Sequence, residues 1–184
     1  MRTRRTEPYR ASLARHHETF VKASSTQVHG VLVVIRGTGL LLRGASGTGK
    51  SDCALELIRR GHRLVADDVV EIRGDPVHHR LVGAPPAAIA GRLEVQDVGI
   101  IAVEPIFGTT ALAPSHEVDA VVDLIAAAPE EHRRRHIDPP PPTRLLGHAL
   151  PTYVIRGTEV TTVANRLEVI AGVLHAARST PPSA

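Results

Sequence analysis

Aromatic side chains are nearly missing from this chain: 184 residues hold no tryptophan, two tyrosines (Tyr9, Tyr153) and two phenylalanines (Phe20, Phe107). Proteins that grip single-stranded nucleic acid stack bases on aromatic rings, so this scarcity argues against that class and no nucleic-acid partner is expected. Cysteine is represented by Cys53 alone. A single thiol closes no internal disulfide and builds no thiolate metal cluster, which fits a reducing, cytoplasmic setting. No apolar run approaches the roughly 20 residues of a membrane-spanning helix. The arginine-rich start also lacks the apolar stretch of a secretory signal, so neither membrane insertion nor export is expected. What is plentiful is aliphatic: 42% of residues are hydrophobic, and with so few rings the core must be a buried sheet of Val, Leu, Ile and Ala. The length suits one domain.

Residues 1–24 are polar and aperiodic and read as a disordered leader, 25–178 as the domain, and 179–184 as a tail. The apolar run Val28 to Ile35, broken by His29 and Gly30, then Gly37-Thr38-Gly39, then Leu40 to Leu42 reads as two strands joined by a tight glycine turn. Apolar residues at 53, 54, 55, 57 and 58 make one helical face before Gly61, a helix-ending glycine. Leu64 to Ala66 is a short buried strand that Val69 to Ile72 extends or pairs with, and Gly74-Asp75-Pro76 marks a turn. Further strands are expected at Leu81 to Gly83, Gly99 to Val103, Val118 to Ala127 and Pro151 to Val154. Residues 132–142, basic and then proline-rich, read as a mobile loop, and spacing at 163, 164, 167, 170, 171 and 174 predicts a C-terminal helix. The class is α/β, strand-rich, ending in a helix.

Gly44-Ala45-Ser46-Gly47-Thr48-Gly49-Lys50-Ser51 satisfies the phosphate-loop pattern G-x-x-x-x-G-K-[ST], with a strand before it and a helix after. Glycines let main-chain N–H groups turn onto phosphate oxygens, and the helix N-terminus adds positive partial charge. Lys50 can reach the outer phosphates and the Ser51 hydroxyl can hold Mg²⁺. After the helix, Asp67 and Asp68 stand where a buried strand emerges. A kinase needs one carboxylate for the metal or its water and a group to take the acceptor's proton. Alternation along a strand predicts that one of this pair points at the phosphates while the other caps a turn or forms an ion pair.

His29-Gly30-Val31-Leu32-Val33, the phosphate loop and Arg60-Gly-His-Arg-Leu-Val-Ala-Asp-Asp-Val69 together closely resemble the catalytic domain of the HPr kinase/phosphorylase family. The resemblance implies a short, catalytic-domain-only form of proteobacterial type with a phosphoenolpyruvate carboxykinase-like nucleotide-binding core. It further implies an ATP- and Mg²⁺-dependent kinase that phosphorylates a serine of the phosphocarrier protein HPr and reverses the step by phosphorolysis. By matching position, His29 resembles the family's active-site histidine, Lys50 its phosphate-binding lysine, Ser51 a magnesium ligand and Asp68 the proton acceptor. Glu94, in Leu93-Glu94-Val95-Gln96-Asp97-Val98-Gly99-Ile100-Ile101, is implied as a second magnesium ligand, and Arg134 as the catalytic arginine. Two departures stand out. Gln96-Asp97 replaces the family's Arg-Gly, and Pro151 to Glu159 departs from its Pro-Val-Arg-Pro-Gly-Arg-Asn segment, so phosphorolysis is expected to suffer most. A homo-oligomer, a hexamer by resemblance, is also implied. Two other readings keep the loop but change the outcome: a kinase for another protein or a small molecule, and a non-catalytic nucleotide sensor. His78, His79, His116, His132 and His136 show no zinc spacing.

Overall fold

The computed structural model describes residues 25–126 and 140–179; the leader, Arg134 and residues 180–184 lie outside the described residues. Along the chain come β1 (Ser25–His29), β2 (Val31–Ile35), β3 (Thr38–Arg43), α1 (Lys50–Arg59), β4 (Arg63–Ala66), β5 (Val69–Asp75) and β6 (Arg80–Ala84). After these follow β7 (Arg92–Val95), β8 (Gly99–Ala102), α2 (Glu104–Phe107), β9 (His116–Glu117) and β10 (Ala120–Ile125). The last part holds β11 (Thr143–Leu145), β12 (His148–Leu150), β13 (Thr152–Arg156) and α3 (Val160–Ser179). The C-terminal helix thus takes in Ser179, which the sequence assigns to the tail.

Every residue of β2 is buried, as are the first five of β3, because this sheet is covered on both faces. Alternation decides which cover each side chain meets. Val31, Val33, Ile35, Leu40 and Leu42 pack with Cys53, Ala54 and Leu57 of α1 and with Val163, Ala164 and Leu167 of α3. Leu32, Val34 and Leu41 turn to the opposite side, onto Val70, Ile72 and Leu81 of a second sheet. Helices, sheet and sheet therefore form three layers, and each large aliphatic side chain so buried contributes roughly 1.5–3 kcal/mol. The central sheet has the order β13-β10-β3-β2-β4 and the second the order β1-β5-β6-β9. β10 is parallel to both β3 and β13, while β2 is antiparallel to β3 and β4. Consequently β3, β4, β10 and β13 share a direction and bring their carboxyl ends to one edge.

Polar ties fasten elements within the layers. Arg60, closing α1, donates to Glu56 Oε1 at 2.9 Å and to Glu168 Oε2 of α3 at 2.8 Å, and His62 Nε2 meets the other oxygen of Glu168 at 2.8 Å. The α1 terminus is a glycine-type cap: Gly61 N–H bonds Ile58 O and His62 N–H bonds Leu57 O. Arg43 grips Asp123 across β3 and β10 through two 2.9 Å bonds, a bidentate geometry that fixes both partners.

Several elements differ from the sequence expectation. The run from Val28 to Ile35 is broken at Gly30, and its halves join different sheets. Val69 to Ile72 neither extends β4 nor pairs with it, but lies antiparallel to β1. β5 continues to Asp75, which moves the turn to 76–79, while β9, the β11–β12 hairpin and α2 are additions. No helix among the described residues is long and apolar enough to cross a membrane.

Candidate active site at the phosphate loop

The loop from Gly44 to Gly49 leaves β3 and enters α1 at Lys50. Gly47 and Gly49 hold φ of 78° and 81°, the left-handed backbone of which anion-binding nests are made. Lys50 Nζ donates to the carbonyls of Gly44 and Ala45 at 3.0 Å each, and Thr48 Oγ1 donates to Ala45 O at 2.9 Å. These bonds brace the first half of the loop and keep the ammonium at its mouth.

Asp67 and Asp68 follow β4 and divide sharply by exposure. Asp67 is only 7% exposed. One of its oxygens accepts the Ser51 hydroxyl at 2.8 Å and the other accepts the Glu94 main-chain N–H at 2.9 Å, so this carboxylate ties the loop to the β7–β8 hairpin. Asp68 has a side chain 63% exposed and lies 3.0 Å, Oδ1 to Nδ1, from His29, itself 60% exposed. Its φ of 71° is left-handed, a conformation aspartate tolerates better than most residues. That turn interrupts the alternation of the strand, and both carboxylates line the same cavity. The expectation that only one would point there is corrected, and the ion pair expected for the other is made by Asp68 from within the site.

His29 reaches Asp68 because the chain crosses between sheets at Gly30. The Gly30 N–H donates to Asp68 O at 2.9 Å, and a Cβ on Gly30 would stand 2.4 Å from Leu42 O. Only glycine fits, which gives the His29-Gly30 pair a steric reason.

The cavity, about 360 Å³, is lined by His29, by Ser46, Gly47 and Gly49 to Asp52 of the loop and helix start, and by Asp67, Asp68, Glu94 and Gln96. Four carboxylates (Asp52, Asp67, Asp68, Glu94) face one ammonium, Lys50, among its described lining residues. A polyphosphate entering so anionic a hollow needs a counter-cation. No group of three or more acidic, His or Cys side chains among the described residues makes a complete metal cage. Mg²⁺ asks for less than that, since one or two protein oxygens plus substrate phosphates and water complete its shell. Ser51 Oγ and the acidic oxygens around it therefore fit the ion.

Of the sequence candidates, His29, Ser46 to Ser51, Asp68 and Glu94 come together around this cavity, apart from Thr48, which with Gly44 and Ala45 walls a second cavity on the opposite flank of the loop. Arg134 lies outside the described residues. Both residues sit in the β7–β8 turn; Gln96 lines the site, whereas Asp97, at φ 61°, is not among the cavity's lining residues. Asp67 is the residue the sequence reading left without a role. Its signal was the buried Leu64-Val65-Ala66 run ending in a carboxylate, the usual partner of a phosphate-loop serine. Cys53 is buried, and that burial, with nearby carboxylates adding to it, pushes its thiol up to about 12; it is a packing residue.

A family model described as the HPr Serine kinase C-terminal domain matches residues 21–182. The chain belongs to the HPr serine kinase C-terminal domain family. It is similar to the HPr kinase/phosphorylase of Geobacillus thermodenitrificans, 42% identical over 133 residues that cover 72% of this chain and 43% of the relative. The protein of the same description from Halalkalibacterium halodurans is 51% identical over 102 residues, covering 55% of this chain and 33% of that one. The chain thus spans less than half the length of the curated relatives it matches. A solved structure, the Hpr(Ser) kinase/phosphatase from Coxiella burnetii, superposes with a TM-score of 0.72 at 27% identity, covering 84% of this chain and 99% of its own. The α/β fold, strand-rich with a C-terminal helix, is that of this kinase family.

Proposed function

We propose that this chain is a protein serine kinase that moves the γ-phosphoryl group of ATP to the serine hydroxyl of HPr. The observation that carries this reading is the exposed Asp68–His29 pair, which shares one cavity with Lys50 and Ser51. Lys50 and the loop amides hold the outer phosphates. Asp68 takes the proton from the acceptor hydroxyl as its oxygen bonds to the γ-phosphorus and the bridging P–O bond breaks, releasing ADP. The His29 Nδ1–H donates to Asp68 and orients its free oxygen toward that hydroxyl. Asp67 stays out of proton transfer and holds Ser51 in place. Ser51, with Glu94 nearby, would hold Mg²⁺, whose charge would offset that of the phosphates. Positioning and electrostatics supply most of the rate. Gln96 stands where the family carries arginine, leaving Lys50 as the sole lysine or arginine among the described lining residues, so the reverse phosphorolysis is weak. The reading includes Arg134 closing on the transferring group, a cytoplasmic setting and a homo-oligomer.

Radiolabel transfer from ATP to purified HPr, with an HPr serine-to-alanine control, tests the proposal. Lys50→Ala loses nucleotide affinity and transfer together. Asp68→Ala keeps nucleotide affinity but loses transfer by roughly 10²–10⁴, the usual worth of a positioned base. Near-normal transfer by Asp68→Ala overturns the base assignment. ATP binding with no turnover favours a nucleotide sensor, and label on a different acceptor moves the substrate.

A further inference from the structure

We infer that Ser12 is an acceptor on the chain itself: the kinase moves the γ-phosphoryl group of ATP to this serine of its own leader, an inference that rests on the kinase reading above. The catalytic pair is open enough to receive a peptide, since Asp68 and His29 have side chains 63% and 60% exposed. The cavity beside them gathers Asp52, Asp67, Asp68 and Glu94 around one ammonium. Mg²⁺·ATP is itself an anion, so the loaded site is more negative still and favours a hydroxyl flanked by cations. Residues 1–24 have that character, with Arg2, Arg4, Arg5, Arg10, Arg15 and Lys22 against Glu7 and Glu18. Ser12 stands between Arg10 and Arg15.

Reach selects the residue. β1 begins at Ser25 and ends at His29 on the cavity wall, so the leader joins the fold about 13 Å from the catalytic pair at the rise of a strand. β1 lies at the edge of its sheet and is bonded there to β5, so no strand of that sheet stands between its outer side and a returning chain. Ser12, thirteen residues before Ser25, can span up to about 43–47 Å, several times what the return needs. The other serines up to β1 are Ser24 and Ser25. Ser24 can move only about 3.5 Å from Ser25, and Ser25 belongs to the strand, so neither comes back to His29. In the transfer, Ser12 Oγ bonds to the γ-phosphorus as the bridging P–O bond breaks, its proton passes to Asp68, and ADP leaves. The phosphoserine carries about −1.5 to −2 charges, which reverses the attraction and expels the product from the acidic cavity.

Incubation of the full chain with Mg²⁺ and γ-labelled ATP, without HPr, followed by mass spectrometry of its peptides, tests this. Phosphate is expected on Ser12, at a rate per chain that dilution does not alter, because a tethered acceptor keeps its effective concentration. Ser12→Ala should lose the label yet phosphorylate HPr at the wild-type rate. Arg10→Ala combined with Arg15→Ala should slow self-transfer by about 2- to 25-fold, the loss of two exposed ion pairs, and leave nucleotide affinity unchanged. Label that persists in Ser12→Ala, sits on Ser24 or Ser25, or survives Lys50→Ala overturns the assignment, as does a rate per chain that rises in proportion to protein concentration. HPr separates the two failures. If HPr takes the phosphate and Ser12 does not, only the self-acceptor falls. If ATP binds and neither is labelled, the reading as a kinase of HPr falls and takes Ser12 with it.

Discussion

Replacing Gly30 by alanine adds one methyl group at a crowded point of the site. The new Cβ would lie 2.4 Å from Leu42 O, inside the 3.0 Å that real Cβ contacts respect, and the obstacle is strand backbone that no rotamer change relieves. Overpacking of this kind costs about 1–3 kcal/mol. For a chain of this size each kcal/mol shifts Tm by about 2–4 °C, so a fall of roughly 2–12 °C is expected. Gly172→Ala is the matched control, because a Cβ there meets nothing within 4 Å in the middle of α3. That variant should gain about 0.5–1 kcal/mol from helix propensity. The same methyl thus moves stability in opposite directions at the two positions, which scanning calorimetry resolves directly. Activity adds a second readout. The Gly30 N–H holds the Asp68 carbonyl, so Gly30→Ala should slow phosphoryl transfer more than it weakens nucleotide binding. A Gly30→Ala protein that melts at or above the wild-type temperature and transfers phosphate at the wild-type rate refutes the steric argument.

The hydrogen bond from His62, with those from Arg60, holds the Glu168 carboxyl below its ordinary 4.5. Its stabilisation is therefore present above pH 4.5 and disappears as pH falls through the lower folded value. Melting curves between pH 7 and 3 should show Glu168→Gln less stable at neutrality and converging on wild type in acid; a constant gap contradicts this. Cys53, its thiol raised by burial, should react with a disulfide reagent at pH 8 far more slowly than a free cysteine and become reactive on unfolding. Rapid labelling of the native protein contradicts the packing role.

The central sheet was legible because its signals are local: apolar runs long enough for buried strands, a glycine turn between two of them, and a loop pattern with the right flanks. The helix over 50–59 and the C-terminal helix followed from spacing alone. The division into two sheets was not legible. Val28 to Ile35, though interrupted by His29 and Gly30, reads as a single strand, and its division between two sheets comes with the close approach of Leu42 O to Gly30, a contact between residues twelve apart. The same limit hid the bonds of Asp67 and the sharing of one cavity by both aspartates. Strand alternation separates such neighbours, and only the left-handed backbone at Asp68 returns them to one cavity. Likewise nothing local in Gln96-Asp97 tells which of the two lines the cavity.

The chain passes from one sheet to the other at two neighbouring places, once at Gly30 and once at Asp67-Asp68, and these crossings are bonded to each other through the Gly30 amide. The grip on phosphate belongs to the central layer, whereas His29 arrives as the last residue of the outer one. On the proposed mechanism, donor handling and acceptor handling are thereby housed on separate pieces of architecture that meet at these two crossings. Substitutions that re-angle the outer layer can retune the encounter with an incoming hydroxyl while the nucleotide end is left as it was.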